Sequence, residues 1–190
     1  MAANDETARW QQIQAACEIR GWQDEVSRLQ NWLAGFLQTP FRLGNQTSFK
    51  LADLATCQAE LEFLFATRPL IVTSLDSLCQ QYLMPGQNRP ALQPARLNGI
   101  IKGFIDLVFE HDGYYYVADW KSDYLGPQDQ HYSSEAMTQE VLGKRYDVQY
   151  AIYVLALHRL LRSRMPDYRY DQHVGGAVYF FLRGWQASSQ

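Results

Sequence analysis

Three charged residues stand inside otherwise apolar segments. Asp106 lies in Gly103-Phe-Ile-Asp-Leu-Val-Phe109, and Asp119 and Lys121 lie in Tyr115-Tyr-Val-Ala-Asp-Trp-Lys121. A charge among apolar strand residues is costly unless it is paired or used. Between the two segments sits Asp112-Gly113, a strong signal for a two-residue hairpin turn. With that turn His111 pairs with Tyr114, and Asp106 falls directly opposite Asp119 with β-carbons about 4.5–5.5 Å apart. Side chains alternate along a strand, so Lys121 projects from the same face. Two opposed carboxylates repel, and one lysine offsets only part of that repulsion. A divalent cation drawing oxygen ligands from both would offset it better and would put the lysine beside a reactive water. The competing reading is a solvated sheet face carrying a routine surface ion pair. The apolar flanks of both segments weigh against it.

The elements that must position these residues are readable from periodicity. Residues 1–40 read as helical: Trp10, Ile13 and Cys17 share one face, Gly21 breaks the run, and Val26, Leu29, Leu33, Phe36 and Leu37 resume it until Pro40. These helices read as cover for a sheet. Over residues 57–66 the period changes to two, with Ala59, Leu61, Phe63 and Phe65 alternating with Glu60, Glu62 and Leu64, which predicts a strand with one apolar face. Ser74 is placed to cap a short helix carrying Leu75, Leu78 and Tyr82. Three of the seven prolines fall in residues 85–96, which must be a loop. The hairpin closes a sheet core spanning 57–121. A long helix is expected over about 135–164, its broad face carrying Met137, Val141, Tyr146, Gln149, Tyr150, Tyr153, Leu157 and Leu160. Residues 174–183 read as a last strand, apolar on both faces and therefore internal to the sheet.

Composition bounds the rest. The chain has 190 residues, 47% hydrophobic and 19% charged, which suits one sizeable core and argues against disorder. Seventeen Lys+Arg against twenty Asp+Glu leave a net charge of -3, which argues against affinity for nucleic acid through bulk positive charge. The three cysteines, Cys17, Cys57 and Cys79, form no C-x-x-C pair, which suggests neither a disulfide framework nor a zinc or iron–sulfur site. No apolar run reaches the roughly 20 residues of a membrane span, and no signal segment opens the chain.

The ordered set of Gly103-Phe-Ile-Asp106, Asp119-Trp-Lys121 after a hairpin, and Gln149-x-x-x-Tyr153 on a helix resembles the PD-(D/E)-x-K nuclease superfamily. Within it, the set is most similar to RecB-type nuclease domains, found in exodeoxyribonuclease V beta subunits. Arg145-Tyr-Asp-Val-Gln-Tyr150, Leu155-Ala-Leu-His-Arg159 and Phe180-Phe-Leu-Arg-Gly184 extend the likeness over about residues 20–184. The resemblance implies a restriction-endonuclease-like α/β fold, a mixed central sheet flanked by helices. It also implies a single domain over 1–190 that stops short of the family's domain at both ends.

By resemblance, Asp106 and Asp119 are metal-binding carboxylates, and the Trp120 backbone carbonyl is a further ligand. Lys121 orients the attacking water and stabilises charge on the phosphate. Gln149 and Tyr153 form the glutamine–tyrosine motif near the site. Glu60 matches an acidic position of the family, with Glu62 on the same strand face as the alternative. The implied cofactor is Mg²⁺, with Mn²⁺ or Ca²⁺ able to substitute in binding. The implied activity is DNA hydrolysis in double-strand break repair and recombination, on single strands delivered by a helicase. Gamma and alpha subunits are the implied partners, in a bacterial cytoplasm and with no membrane. The family also carries a histidine ligand upstream, which His111, His131, His158 and His173 do not match; they read as surface or packing residues. That departure sustains an alternative: a catalytically incomplete or non-catalytic module of the same fold that binds DNA ends or a partner protein. Tyr114–Tyr116 read as packing rather than base-stacking residues, and Arg159, Arg162 and Arg164 as complements to a helix dipole.

Overall fold

A computed structural model describes residues 6–44 and 47–185. The chain divides into two compact units, one up to Ala55 and one from Thr56 onward. The first unit holds α1 (Glu6–Arg20) and α2 (Val26–Gln38), followed by a minimal ribbon of β1 (Phe41–Arg42) and β2 (Ser48–Phe49). Gly21, at φ +70°, ends α1 in a Schellman arrangement. Its N–H reaches Glu18 O, and the Trp22 N–H reaches Cys17 O at 2.9 Å. Trp32, Phe36, Phe41 and Phe49 form the unit's aromatic core.

The second unit is an α/β structure of the restriction-endonuclease type. Its sheet runs β3 (Cys57–Ile71), β4 (Arg96–His111), β5 (Tyr114–Lys121), β6 (Val174–Phe181). The first three strands are antiparallel neighbours, and β6 joins β5 in parallel. The remaining helices are α3 (Val72–Tyr82), α4 (Ser134–Gly143), α5 (Tyr146–Arg164) and the short α6 (Tyr170–His173). Val154, Leu157 and Leu161 of α5 bury against Ile105, Val108 and Val117, with Leu61, Phe63 and Phe65 of β3 packed alongside. No helix among the described residues is long and apolar enough to cross a membrane.

The hairpin has the register that Asp112-Gly113 requires, from His111↔Tyr114 to Leu107↔Ala118. Gly103 faces Phe63 across the β3–β4 ladder, and a β-carbon there would stand 2.5 Å from Phe63 Cζ, so only glycine lets that ring lie over the strand. Tyr116 is buried and stacks on Phe109, in agreement with a packing role. The three cysteines are free thiols.

Four local expectations are corrected. The expected long helix is two helices, α4 and α5, because Arg145 takes a left-handed φ of 59° that turns its guanidinium onto Asp76 and Asp147. Ser74 lies inside α3 rather than at its cap, because β3 continues through Ile71 directly into the helix. The last strand ends at Phe181. Among the described strands β6 is an edge strand, not an internal one. Its apolar residues on both faces are used by packing instead: Phe180 stacks on Trp120, while Tyr179 and Phe181 pack with Tyr132, Val141 and Tyr146.

Candidate active site

The site forms where β4 and β5 part. Their ladder stops at Leu107↔Ala118, one position short of Asp106 and Asp119. There the Asp106 side chain takes over from the backbone: its Oδ2 accepts the Trp120 N–H at 2.9 Å. Ile105 and Val108, three residues apart, both enter the core under α5, so β4 does not alternate strictly across Asp106. On the other side of β4 the pairs Ala59↔Leu107 and Leu61↔Ile105 bracket Glu60, which therefore falls opposite Asp106. Glu60 has a left-handed φ of 51° and is exposed, so β3 is irregular at the same level. Glu62 faces elsewhere, in an ion pair with Lys102 at 2.6 Å.

Asp119 and Lys121 are buried together, their side chains 7% and 8% exposed, with Lys121 Nζ 2.6 Å from Asp119 Oδ2. One residue of α5 spans this pair. Gln149 Nε2 donates to Asp119 Oδ1 at 2.9 Å, and Gln149 Oε1 accepts from Lys121 Nζ at 2.8 Å. Gln149 Nε2 also lies 3.0 Å from the Tyr153 hydroxyl, one helical turn on. The Tyr153 ring is in turn held edge-on by Phe63, at 5.8 Å between centroids. A chain of packing thus runs from Gly103 through Phe63 and Tyr153 to the charged pair.

Burial pushes the Asp119 carboxyl above its ordinary value. The Lys121 hydrogen bond and charge oppose this without cancelling it, and the Asp106 charge adds to the rise. Asp106 and Asp119 face only one ammonium, Lys121, so a cation would favour the ionised form of both carboxylates. Asp106 and Asp119 present hard carboxylate oxygens, the donor type that Mg²⁺ and Ca²⁺ take, so the donor set fits such an ion. Among the described residues no group of three or more His, Cys, Asp or Glu side chains gathers in metal-binding geometry. The histidines are occupied locally. His131 lies against Gln128, His158 Nδ1 meets the Tyr168 hydroxyl at 2.7 Å, His173 lies against Arg169, and His111 faces Asp112.

Two groups of residues escaped the sequence reading. Asp123, just past Lys121, receives Lys144 and the Tyr146 hydroxyl, and the Tyr146 ring lies under Lys121. Further along α5, Asp147 is 2% exposed and bonded by Arg89 at 2.6 Å and by Arg145 at 3.0 Å. Arg145 also pairs with Asp76 of α3 at 2.7 Å, and Arg89 donates to the carbonyls of Leu83 and Met84. This cluster ties the proline-rich loop to the start of α5. Burial alone would raise the Asp147 carboxyl, but the two guanidinium groups outweigh it and hold it below the usual range. The available signal was Asp147 itself, an acidic residue between Tyr146 and Val148 at the head of a helix with a broad apolar face, which demands a partner.

The fold and this carboxylate–lysine–glutamine arrangement point to a nuclease superfamily. The family model of the PD-(D/E)XK nuclease superfamily matches residues 3–189, and the chain belongs to that superfamily. Among curated proteins, it is similar to the RecBCD enzyme subunit RecB of Escherichia coli (strain K12), at 43% identity over 176 residues. That match covers 90% of this chain and 15% of the relative. The RecB subunit of Haemophilus influenzae is 41% identical over 166 residues, covering 85% of this chain and 13% of that protein. A Mycobacterium tuberculosis RecB is 40% identical over 89 residues, 46% of this chain and 8% of the relative. The chain thus spans a small fraction of the length of the relatives it matches.

Proposed function

We propose that this chain is a metal-dependent deoxyribonuclease domain of a RecB-type helicase–nuclease, acting in double-strand break repair and recombination. The observation that carries the proposal is the buried Asp119–Lys121 pair, spanned by Gln149 and set one strand away from Asp106. Asp106 and Asp119 would hold Mg²⁺, for which Mn²⁺ or Ca²⁺ would substitute in binding, and the Trp120 carbonyl would add a backbone ligand. Such an ion, when bound, lowers the pKa of a water and acts as a Lewis acid toward the phosphate.

The chain's own residues do the rest. Lys121 presents an ammonium to the attacked phosphate and orients the water, a role that needs its position fixed. Gln149 fixes it, since one amide bonds both charged partners. Tyr153 holds that amide from behind. Glu60, level with Asp106 on the neighbouring strand, contributes an acidic side chain at the edge of the site. The substrate is single-stranded DNA delivered by a helicase, in assembly with gamma and alpha subunits in a bacterial cytoplasm. The net charge of -3 suits a domain that need not hold DNA alone.

The test is cleavage of a labelled single-stranded oligonucleotide with Mg²⁺ or Mn²⁺, comparing the chain with Asp119→Ala. Metal-dependent cleavage lost in the variant supports the proposal. Equal behaviour of the two proteins would leave a module of the same fold that binds DNA ends or a partner without cutting.

A further inference from the structure

An ammonium group has three donors. For Lys121, Asp119 Oδ2 takes one at 2.6 Å and Gln149 Oε1 takes another at 2.8 Å. Beside the ammonium lies the ring of Tyr146, its centroid 3.5 Å from Nζ, with the Tyr179 ring behind at 5.0 Å. Tyr146 is itself tethered twice. Its hydroxyl lies 3.3 Å from Asp123 Oδ1, and its backbone carbonyl accepts the Tyr179 hydroxyl at 2.6 Å. Both tethers reach outside α5, one to the segment just after β5 and one to β6. They hold the first residue of the helix that also carries Gln149.

The ion pair with Asp119 is the contact most exposed to change. A divalent cation drawing on the Asp119 carboxylate shares its charge and repels the ammonium beside it. Lysine has a flexible four-carbon stem, and little in its own chemistry keeps it in place once that pair weakens. Gln149 and the Tyr146 ring are neutral, so they hold the ammonium without competing for the cation.

We propose that Tyr146 is a positioning residue for Lys121: its ring face seats the ammonium by cation–π attraction, keeping Lys121 aimed at the phosphate when Asp119 turns to a metal ion. This rests on the nuclease function proposed above. A desolvated cation–π contact of this kind corresponds to about 30-fold in rate.

Two measurements test it. The first is steady-state cleavage of single-stranded DNA with Mg²⁺ by Tyr146→Leu, Tyr146→Phe and phenylalanine analogues of increasing ring fluorination at position 146. Tyr146→Leu should lower kcat about 30-fold with little change in KM, Tyr146→Phe should restore most of it, and kcat should fall with each added fluorine. The analogues nearly match phenylalanine in shape, so they decide the matter even if Tyr146→Leu does not fold.

The second needs no metal and no substrate. The chain has only four lysines, Lys50, Lys102, Lys121 and Lys144, so lysine labelled with ¹³C at Cε gives four signals that single Lys→Arg variants assign. The Lys121 ε-protons should be the most upfield, shifted by the ring current, in the wild-type chain and in Tyr146→Phe but not in Tyr146→Leu. Equal kcat for Tyr146→Leu and Tyr146→Phe, a flat fluorine series, or an unshifted Lys121 signal overturns the role of the ring alone. If the unsubstituted chain cuts no DNA with either metal, the nuclease proposal falls and the ring's role with it.

Discussion

Gln149 and Lys121, on different elements of the fold, meet at 2.8 Å through the glutamine's carbonyl oxygen, while the same amide's nitrogen reaches Asp119 at 2.9 Å. The amide therefore has one productive orientation, set by the opposite charges it spans. No apolar or acidic side chain reproduces it, which makes position 149 a sensitive probe of the site.

Gln149→Leu removes both bonds, and Gln149→Glu turns a carboxylate against Asp119. A hydrogen bond to a charged group contributes about 1.5–3 kcal/mol, so cleavage should fall about tenfold to hundredfold in either variant. Circular dichroism should show an unchanged fold. Full activity in Gln149→Leu would mean the amide does not position Lys121.

Metal binding should be visible without DNA. Calorimetric titration with Ca²⁺ should show binding to the wild-type chain and none to Asp119→Ala or Asp106→Ala. The ion should also raise the melting temperature, as any ligand of the folded state does. No binding at millimolar Ca²⁺ would mean that the two carboxylates do not form a site.

The Arg89–Asp147 pair makes a stability prediction independent of catalysis. Both side chains are 1% exposed, and removing one partner of a buried pair leaves an uncompensated charge. Arg89→Ala should therefore destabilise the fold by about 3 kcal/mol, toward the lower end because Arg145 still bonds Asp147. The acid dependence follows from linkage. Asp147 and Asp76 titrate below their ordinary value when folded, so between the two pKa values the unfolded chain binds more protons. Their stabilisation is present above the ordinary carboxylate value and is lost as pH falls through the lowered one. Melting temperatures measured from pH 5 downward should drop less steeply in Arg89→Ala than in the wild type; parallel curves would contradict this.

Gly103→Ala tests the packing route into the site. The added methyl would stand 2.5 Å from Phe63 Cζ, and Phe63 braces Tyr153. Overpacking should cost about 1–3 kcal/mol in thermal unfolding and should lower cleavage as well. Phe63→Leu combined with Gly103→Ala should recover stability; no loss in the single variant would show that the ring yields freely.

What the sequence reveals here is what short-range rules govern. The hairpin register follows from Asp112-Gly113, and Gln149 and Tyr153 share a face because they are one turn apart. Asp119 and Lys121 project together because they are two residues apart. Asp147 signals that a partner is needed, but Arg89 and Asp76 were illegible as partners because they reach Asp147 and Arg145 across the fold, with no periodic spacing to announce them. The break between α4 and α5 was hidden for the same reason: the left-handed Arg145 is held by a long-range ion pair to Asp76, which the helical periodicity on either side does not announce. The seat of Lys121 on Tyr146 depends on the closure of β6 beside β5, which no local pattern contains. The edge position of β6 was misread because an apolar strand covered on both faces resembles one flanked on both sides.

The central claim is that Asp106 and Asp119 act together on one metal ion. Its most direct test is Mg²⁺-dependent cleavage of single-stranded DNA by Asp106→Ala, Asp119→Ala and the double variant, against the wild-type chain with and without chelator. Residues that serve one ion are strongly non-additive. Both single variants and the double variant should fall to the same residual rate as the chelated wild type. Metal-dependent cleavage surviving in either single variant, with a further multiplicative loss in the double, would contradict it.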